Sequence, residues 1–224
     1  MKILKYQHWH FISLLALISV LYYFAKLDAA FLNGELYGIS TSYWCVFALL
    51  SPIVHQVYVL ICWRSELHYQ SISNMFGENG FTVYKIGFAL LMFSRLLTIV
   101  LLAISNANTL NINPVFAYIL SALLLIPASY LFYSVKTYFG MDRAIGIDHF
   151  YPERFKNAPL VKQGIFKYTS NGMYVYGLLM LWIPGLLLLS KAALVLGIFN
   201  HVYIWVHYYV TELPDMKVIY GEGE

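Results

Sequence analysis

Long apolar runs with almost no charged residues constrain the fold of this chain more than any other feature. The hydrocarbon core of a bilayer is about 30 Å thick, and an α-helix needs roughly 20 apolar residues to cross it. Six segments reach that length, although the last two only just do so. They span residues 9–27, 42–63, 84–105, 114–135, 173–190 and 192–211. The sequence therefore predicts an all-α, polytopic membrane bundle of about six transmembrane helices.

The composition supports a membrane location and a single domain. Hydrophobic residues make up 60% of the chain and charged residues 11%, whereas soluble domains carry about 25% charged residues. The 224 residues suit one domain, 1–224, and a net charge of +3 is too small to indicate a nucleic acid partner. Cys45 and Cys62 lie in one apolar run without the spacing of metal ligands, so we expect two buried thiols.

The first apolar run has two interpretations. Lys2 and Lys5 precede it, as basic residues precede the apolar part of a signal peptide. However, the run continues through the aromatic residues 22–24, and no clean small-x-small cleavage site follows. We therefore favour a retained first transmembrane helix.

Lysine and arginine residues are distributed unevenly between the predicted loops. With the amino terminus inside, the positive-inside rule places eleven of them on the cytoplasmic side and only Lys26 and Lys191 on the other. We therefore expect both termini and the long polar segment 136–172 to be cytoplasmic. The eleven residues are Lys2, Lys5, Arg64, Lys85, Lys136, Arg143, Arg154, Lys156, Lys162, Lys167 and Lys217.

Prolines and short connections shape the last two runs. Little more than Ser190-Lys191 separates them, which predicts a tight helical hairpin. Pro184-Gly185 is expected to kink the fifth run. Pro214 is expected to end the last helix, because proline disfavours the helical conformation in the residue before it.

Two ionisable residues lie well inside apolar runs, where charge is costly and polar side chains usually face the protein interior. Arg95 has two interpretations: it binds a carboxylate or a lipid phosphate, or it pairs with helix carbonyls or extends to an interface. His55 is interpreted as a hydrogen-bonded packing residue.

The sixth run carries a row of aromatic and ionisable side chains. At about 100° per residue, His201, Trp205, Tyr208 and Glu212 fall on one stripe of a helix. One interpretation is the wall of a cavity that reaches the cytoplasmic surface. The alternative is an interfacial aromatic belt with a glutamate at the water boundary.

The stretch 160–177 joins the long basic polar segment to the fifth apolar run. A polar ligand could meet a lipidic one here, but taken alone the stretch is better interpreted as an amphipathic segment on the membrane, with Lys162 and Lys167 near lipid phosphates. Upstream, residues 142–154 contain Asp, His and Glu side chains whose spacing fits no strong metal motif. We expect salt-linked loop residues there and no bound metal.

Two segments resemble one protein family. Residues 160–174 (LVKQGIFKYTSNGMY) resemble, without a gap, the Leu-Val-x-x-Gly-x-Tyr-x-x-x-Arg-His-Pro-x-Tyr segment of the integral-membrane S-adenosylmethionine-dependent methyltransferases. That superfamily includes isoprenylcysteine carboxyl methyltransferase and the phospholipid (phosphatidylethanolamine) N-methyltransferases. Residues 212–221 (ELPDMKVIYG) resemble the Glu-Glu-Pro…Ile-Tyr ending of the phospholipid branch. The chain departs from the pattern at 170–172, where Ser-Asn-Gly replaces Arg-His-Pro, and at Leu213, which replaces the second Glu.

The resemblance covers about residues 115–220 and implies a four-helix methyltransferase core preceded by two further helices. It predicts an N-terminal helical addition over 1–83 and a core over 84–224. Within that core, the segment 136–177 is expected to bind the cofactor on the cytoplasmic side.

The resemblance also implies the ligands. S-adenosylmethionine is expected in a pocket formed by the polar segment and the last helices, and the lipid substrate is expected to enter sideways from the membrane. The positions carried over to the cofactor site are Gly164, Phe166, Asn171, Met173, Tyr174 and Glu212.

Residue chemistry adds candidates for the cofactor. Aromatic faces and a carboxylate suit a sulfonium cation. The candidates for this contact are Tyr174, Tyr208, Trp205 and Glu212. The carboxylate of the cofactor requires a cation, for which we expect Lys167 or Arg143.

Other candidates concern the methyl acceptor. An amine acceptor must lose a proton, and Glu212 or His207 is the candidate catalytic group that accepts it. Arg95, His201 and Trp205 are candidates for contact with the lipid substrate.

The predicted function is methyl transfer from S-adenosylmethionine to a membrane-borne acceptor, with a phospholipid amine as the favoured acceptor. A prenylated cysteine carboxylate and a small thiol are the alternative acceptors. A catalytically silent membrane binding protein of the same fold is the alternative from another class, and a membrane reductase is a weaker one. The expected partners are the bilayer and a membrane lipid, and the sequence leaves the oligomeric state open.

Overall fold

Five helices in residues 2–221, the part of the chain that the computed structural model describes, are long and apolar enough to cross a membrane. The expected all-α polytopic membrane bundle is confirmed. The helices are α1 (Gln7–Leu27), α2 (Thr41–Tyr69), α3 (Ser71–Phe76), α4 (Gly80–Ser105), α5 (Pro114–Ser134), α6 (Met141–Ile145), α7 (Ile147–Phe150), α8 (Pro152–Phe155), α9 (Gly172–Tyr176), α10 (Ile183–Leu187), α11 (Lys191–His207) and α12 (Leu213–Tyr220). A small antiparallel hairpin of β1 (Glu35–Leu36) and β2 (Ile39–Ser40) precedes α2.

The fifth predicted run forms a shorter, interrupted helical segment, Gly172–Leu187. A 3-10 turn over Gly177–Leu181 separates α9 from α10, so the irregularity lies before Pro184-Gly185, where a kink was expected. Pro184 occupies the first turn of α10, where its missing N–H costs no helical hydrogen bond. A Cβ on Gly185 would lie 2.4 Å from the backbone nitrogen of Leu194, so α10 and α11 form the tight hairpin that the sequence predicts.

The N-terminal helices α1 and α2 share one apolar core with α4 and α11. His10 Nε2 and the Tyr203 hydroxyl form a buried hydrogen bond of 2.6 Å that joins α1 to α11. Close packing of these apolar faces stabilises the bundle through van der Waals contacts, because lipid chains are as apolar as the helix faces. The buried core includes Leu21, Ala48, Ile99 and Leu196. The division of the chain at residue 83 stays a prediction.

One end of the bundle is closed around Asn106. The Asn106 side chain accepts a hydrogen bond from the backbone N–H of Ala192 at 3.0 Å and donates one to the Asn33 carbonyl at 2.8 Å. Asp28 and Lys191 form an ion pair beside it. These contacts tie the loop after α1 and the loop after α4 to the start of α11.

The opposite end, here called the Arg64 end, gathers both ends of the described chain. Arg64 donates to the Lys5 carbonyl at 2.6 Å and to the Asp215 carboxylate at 3.0 Å. Lys85, near the start of α4, pairs with Asp142 of the polar segment at 2.9 Å. Both ends of the described chain and the polar segment therefore lie at one end of the bundle, as the loop charges indicate, and the assignment of this end to the cytoplasm stays a prediction.

Two long helices change to a wider π-helical turn at the Arg64 end. These turns cover Val135–Phe139 after α5 and Tyr208–Glu212 after α11. The chain then continues as α12 with Pro214 in its first turn, a position that tolerates proline. The expectation that Pro214 ends the last helix is therefore wrong. Single π turns inside α-helices occur frequently at functional sites.

Candidate functional site

A cavity of about 850 Å³ runs inward from the Arg64 end of the bundle. Its walls come from α2, α4, α5, the segment between α5 and α10, and residues 204–221. This volume is within the usual range for small-molecule and cofactor sites, about 300–1,000 Å³. The stretch 160–177 and Glu212 meet on its walls, although 35 residues or more separate them in the sequence.

Most of the residues singled out from the sequence line this cavity. Four do not: Gly164, Lys167, His201 and Trp205. The nine that do are Arg95, Arg143, Phe166, Asn171, Met173, Tyr174, His207, Tyr208 and Glu212.

Gly164 and Lys167 lie beside the cavity. Gly164 packs against the end of α5, where a Cβ would meet the Ser134 hydroxyl at 2.5 Å, and the next residue, Ile165, donates its N–H to that hydroxyl at 3.0 Å. Lys167 is exposed. Gly164 therefore supports the wall through backbone packing, while Lys167 points its charge away from the interior.

The predicted stripe of the last long helix is divided, since Tyr208 and Glu212 line the cavity and the other two residues of the stripe do not. A π turn has more residues than an α turn, so Glu212, at the end of the π turn, is rotated relative to the residues of α11. His201 instead packs against Trp182, with ring centroids 5.6 Å apart. Trp205 lies behind the wall and packs against the ring of Tyr208 at 5.6 Å.

Aromatic side chains form one wall near the Arg64 end. The rings of Tyr174 and Tyr208 are 4.8 Å apart and both residues line the cavity. On the facing side, Phe166 stacks on Phe139 at 5.2 Å. Glu212, at the end of the π turn, lines the same region and takes no part in the ion pairs found in residues 2–221. This region can hold a cation between aromatic faces and a carboxylate.

Arg143 supplies a cation at the mouth of the cavity. Its Nε donates to the Tyr220 hydroxyl at 3.3 Å, and its guanidinium lies 4.9 Å from the ring centroid of Phe139 and 5.4 Å from that of Tyr220. The rings hold the guanidinium in place while its remaining N–H groups stay able to donate to an anion.

A buried histidine between two carboxylates lies beside this mouth. His149 Nδ1 is 3.0 Å from Asp148, and its Nε2 is 3.7 Å from Asp215. The ring stacks on Trp63 with centroids 4.1 Å apart. Burial alone would lower the pKa of His149, but the two carboxylates outweigh burial and raise this pKa to about 9. His149 is therefore cationic at neutral pH.

Asp148 completes a chain of hydrogen bonds to the last helix. The Tyr220 hydroxyl donates to Asp148 Oδ2 at 2.7 Å. Burial acts to raise the pKa of Asp148, but its hydrogen bond with His149 and the nearby charges hold it below the usual value. The salt-linked arrangement expected for residues 142–154 is confirmed at Asp148 and His149.

The inner end of the cavity is polar and deeply buried. Arg95 donates from Nε to Asn200 Oδ1 at 3.0 Å, and its Nη1 is 3.3 Å from His55 Nδ1. Arg95 Nη2, His55 Nε2 and both side-chain polar atoms of Gln56 have no hydrogen-bond partner within residues 2–221. His55 is therefore hydrogen-bonded, as predicted, and also lines the cavity.

Sequence patterns did not single out Gln56, Trp63 or Asp215. Gln56 and Trp63 lie in α2, where they are two polar or aromatic residues in a long apolar run. Asp215 lies within the segment 212–221 that resembles a family ending, but its partner Arg64 is remote in sequence. The only local signal was the presence of polar residues inside or next to apolar runs.

Comparison with known protein families gives one result. The model of the family described as PEMT, phospholipid methyltransferase, matches residues 116–223. The resemblance found in residues 160–174 and 212–221 is thereby confirmed. No curated protein and no solved structure matches the chain.

Proposed function

We propose that this chain, whose residues 116–223 match the model of the phospholipid methyltransferase family, is an integral membrane enzyme that transfers a methyl group from S-adenosylmethionine to a phospholipid amine. The observation that carries the proposal is the cavity itself. Both segments that resemble the family, 160–174 and 212–221, contribute to its walls.

The residues present fit the cofactor. S-adenosylmethionine supplies a methyl group that its sulfonium already activates. Tyr174 and Tyr208 offer aromatic faces to that cation, and Glu212 offers a carboxylate. Arg143 offers N–H donors to the carboxylate of the cofactor. Because Lys167 is exposed and does not line the cavity, Arg143 is the better of the two predicted cations.

The cavity residues contribute mainly by position and by exclusion of water. In-line displacement at an activated carbon needs no protein nucleophile, so orientation of the acceptor supplies most of the rate enhancement. When bound, the cofactor would supply the methyl group and its sulfur would keep the electron pair of the broken bond. The acceptor nitrogen supplies the electron pair of the new bond, so its ammonium form must first lose a proton. Glu212 lines the cavity with a carboxylate, and His207 Nδ1 has no hydrogen-bond partner in the described chain, so either group can accept this proton.

A labelled methyl donor tests the proposal. Purified protein in nanodiscs is supplied with methyl-labelled S-adenosylmethionine and with phosphatidylethanolamine, a prenylated cysteine or a small thiol as acceptor. We expect label in phosphatidylethanolamine. Label in another acceptor would correct the substrate, and no label in any lipid or thiol, with folded protein, would contradict the enzyme function.

A further inference from the structure

The inner end of the cavity contains a cluster of buried polar residues that lies outside the family match. Arg95 is 1% exposed and His55 and Gln56 are each 2% exposed. All three precede residue 116, where the match to the phospholipid methyltransferase family begins. We call His55, Gln56 and Arg95 the inner cluster. It belongs to α2 and α4, the helices that precede the matched segment.

Within residues 2–221, no carboxylate balances the positive charge of the inner cluster. Among the ion pairs of residues 2–221, none involves Arg95. Arg95 Nε donates to the amide oxygen of Asn200, and Nη1 is hydrogen-bonded to His55. Arg95 Nη2 has no hydrogen-bond partner within residues 2–221. An unpaired charge and an unsatisfied amide are both costly inside a membrane protein. A ligand oxyanion would give Arg95 a negative counter-charge and would give the amide nitrogen of Gln56 a hydrogen-bond acceptor.

We propose that the inner cluster binds the oxyanion of the amphiphilic methyl acceptor, a phosphate or a carboxylate, through Arg95 Nη2 and the Gln56 amide. This inference rests on the proposed function, because it places the acceptor in the same cavity as the methyl donor. It assigns acceptor recognition to α2 and α4.

The position of His207 agrees with this placement. Arg95 touches α11 at Asn200, and His207 lies seven residues further along α11 toward the Arg64 end, about 10 Å by helical rise. In a phospholipid amine, two carbon atoms and one ester oxygen separate the phosphorus from the nitrogen. A phosphate at Arg95 whose amine extends toward the Arg64 end would therefore place that amine between Arg95 and His207.

Three apolar residues of the cavity wall are exposed. They are Met92 of α4, Phe132 of α5 and Met180. The two methionine side chains are flexible and adapt readily to a neighbouring apolar chain. An amphiphile can therefore place its polar group at Arg95 while its apolar chains remain in the bilayer.

Lipid binding measured by native mass spectrometry tests the inference without relying on turnover. The probes are phosphatidylethanolamine, oleate and the uncharged diacylglycerol, each titrated into wild type and Arg95→Gln. We expect wild type to bind at least one of the two oxyanions in preference to diacylglycerol. Loss of one charge-assisted hydrogen bond weakens that binding roughly 10-fold or more, while the affinity for S-adenosylhomocysteine stays within about twofold of wild type.

Gln56→Leu is the second variant, because it removes a side chain that has no hydrogen-bond partner within residues 2–221. We expect its melting temperature to equal or exceed that of wild type, since a buried unsatisfied amide is lost, and its oxyanion binding to be weaker. If Arg95→Gln does not fold, the oxyanion binding of Gln56→Leu alone tests the inference.

The outcomes separate the inference from the proposed function. Unchanged oxyanion binding in the folded variants overturns the inference. A selective loss of S-adenosylhomocysteine affinity in Arg95→Gln also overturns it, because the oxyanion held there would then be that of the cofactor. A wild-type protein that binds the oxyanion lipid but transfers no methyl group overturns the proposed function instead.

Discussion

Arg64 and Asp215 form a buried ion pair across 151 positions of the chain, with Arg64 Nε 3.0 Å from one carboxylate oxygen and 3.2 Å from the other. The same guanidinium donates to the backbone carbonyls of Lys5 and Val210 at 2.6 and 2.9 Å. The pair therefore connects α2 to the start of the chain and to its last helix. Asp215 also lies against His149, so the pair supports the wall of the cavity.

Replacing Arg64 with Met should destabilise the fold strongly. The change removes the closer of the two cations beside the buried Asp215 carboxylate and leaves only His149, 3.7 Å away, in the described part of the chain. Loss of one partner from a buried pair typically costs about 3–5 kcal/mol. The matched control is Lys85→Met, which breaks the more exposed pair with Asp142 and should cost about 0–1 kcal/mol. Thermal unfolding of both variants in the same detergent measures the difference. Equal melting temperatures would contradict this role of the buried pair.

The free energy of unfolding should fall at alkaline pH because His149 loses its proton. Because folding raises the pKa of His149 from 6.5 to about 9, its protonated form stabilises the fold fully below pH 6.5. That contribution, on the order of 3 kcal/mol, is lost as the pH rises through about 9. The unfolding free energy of wild type and His149→Gln, measured between pH 6 and 10, tests this.

The two curves should converge toward pH 10, since His149→Gln lacks the titrating group. His8→Gln serves as the control, because His8 is exposed on α1, and it should follow the wild-type curve. Parallel curves for wild type and His149→Gln over the whole range would refute the assignment.

Local sequence patterns predicted the membrane helices and much of the cavity. Apolar runs predict membrane helices because the backbone hydrogen bonds of a helix form within the run itself. The loop charges correctly placed residues 160–177 and Glu212 at the same end of the bundle.

The π turn Tyr208–Glu212 is not encoded in a simple period. The single stripe drawn through the last long helix also included His201 and Trp205, which do not line the cavity. Ion pairs between residues far apart in the chain, such as Arg64 and Asp215, also leave no pattern in the local sequence.

The inner cluster illustrates the same limit. Arg95 was evident because a charge in an apolar run is unusual, but its neighbours depend on how α2 packs against α4 and α11. Gln56 is polar and unremarkable by sequence, and only the packing places it beside the cavity.

Arg143 and Lys167 should differ in their effect on the cofactor. Arg143→Met removes a cation that lines the cavity, so we expect affinity for S-adenosylhomocysteine to fall about 10-fold, the loss of one charge-assisted hydrogen bond. Lys167→Met removes an exposed cation at the same end and should leave that affinity within about twofold. Calorimetric titration of both variants measures this, and the reverse order would move the cofactor carboxylate to Lys167.

Glu212→Gln should distinguish the methyl donor from its product. The donor carries a sulfonium charge and the product does not, so loss of a nearby carboxylate should weaken S-adenosylmethionine about 10-fold and the product much less. Glu153→Gln is the control, since Glu153 is an exposed carboxylate of α8 that does not line the cavity. Competition binding of donor against product gives the ratio for each variant. A ratio unchanged in Glu212→Gln would remove Glu212 from the sulfonium site.

Calorimetric titration of the folded wild-type protein with S-adenosylhomocysteine tests the central claim most directly, because it asks whether the cavity at the Arg64 end holds this cofactor class at all. We predict saturable binding at one site per chain, in competition with S-adenosylmethionine. Absence of binding heat for both compounds, at several temperatures and with intact fold, would contradict the account.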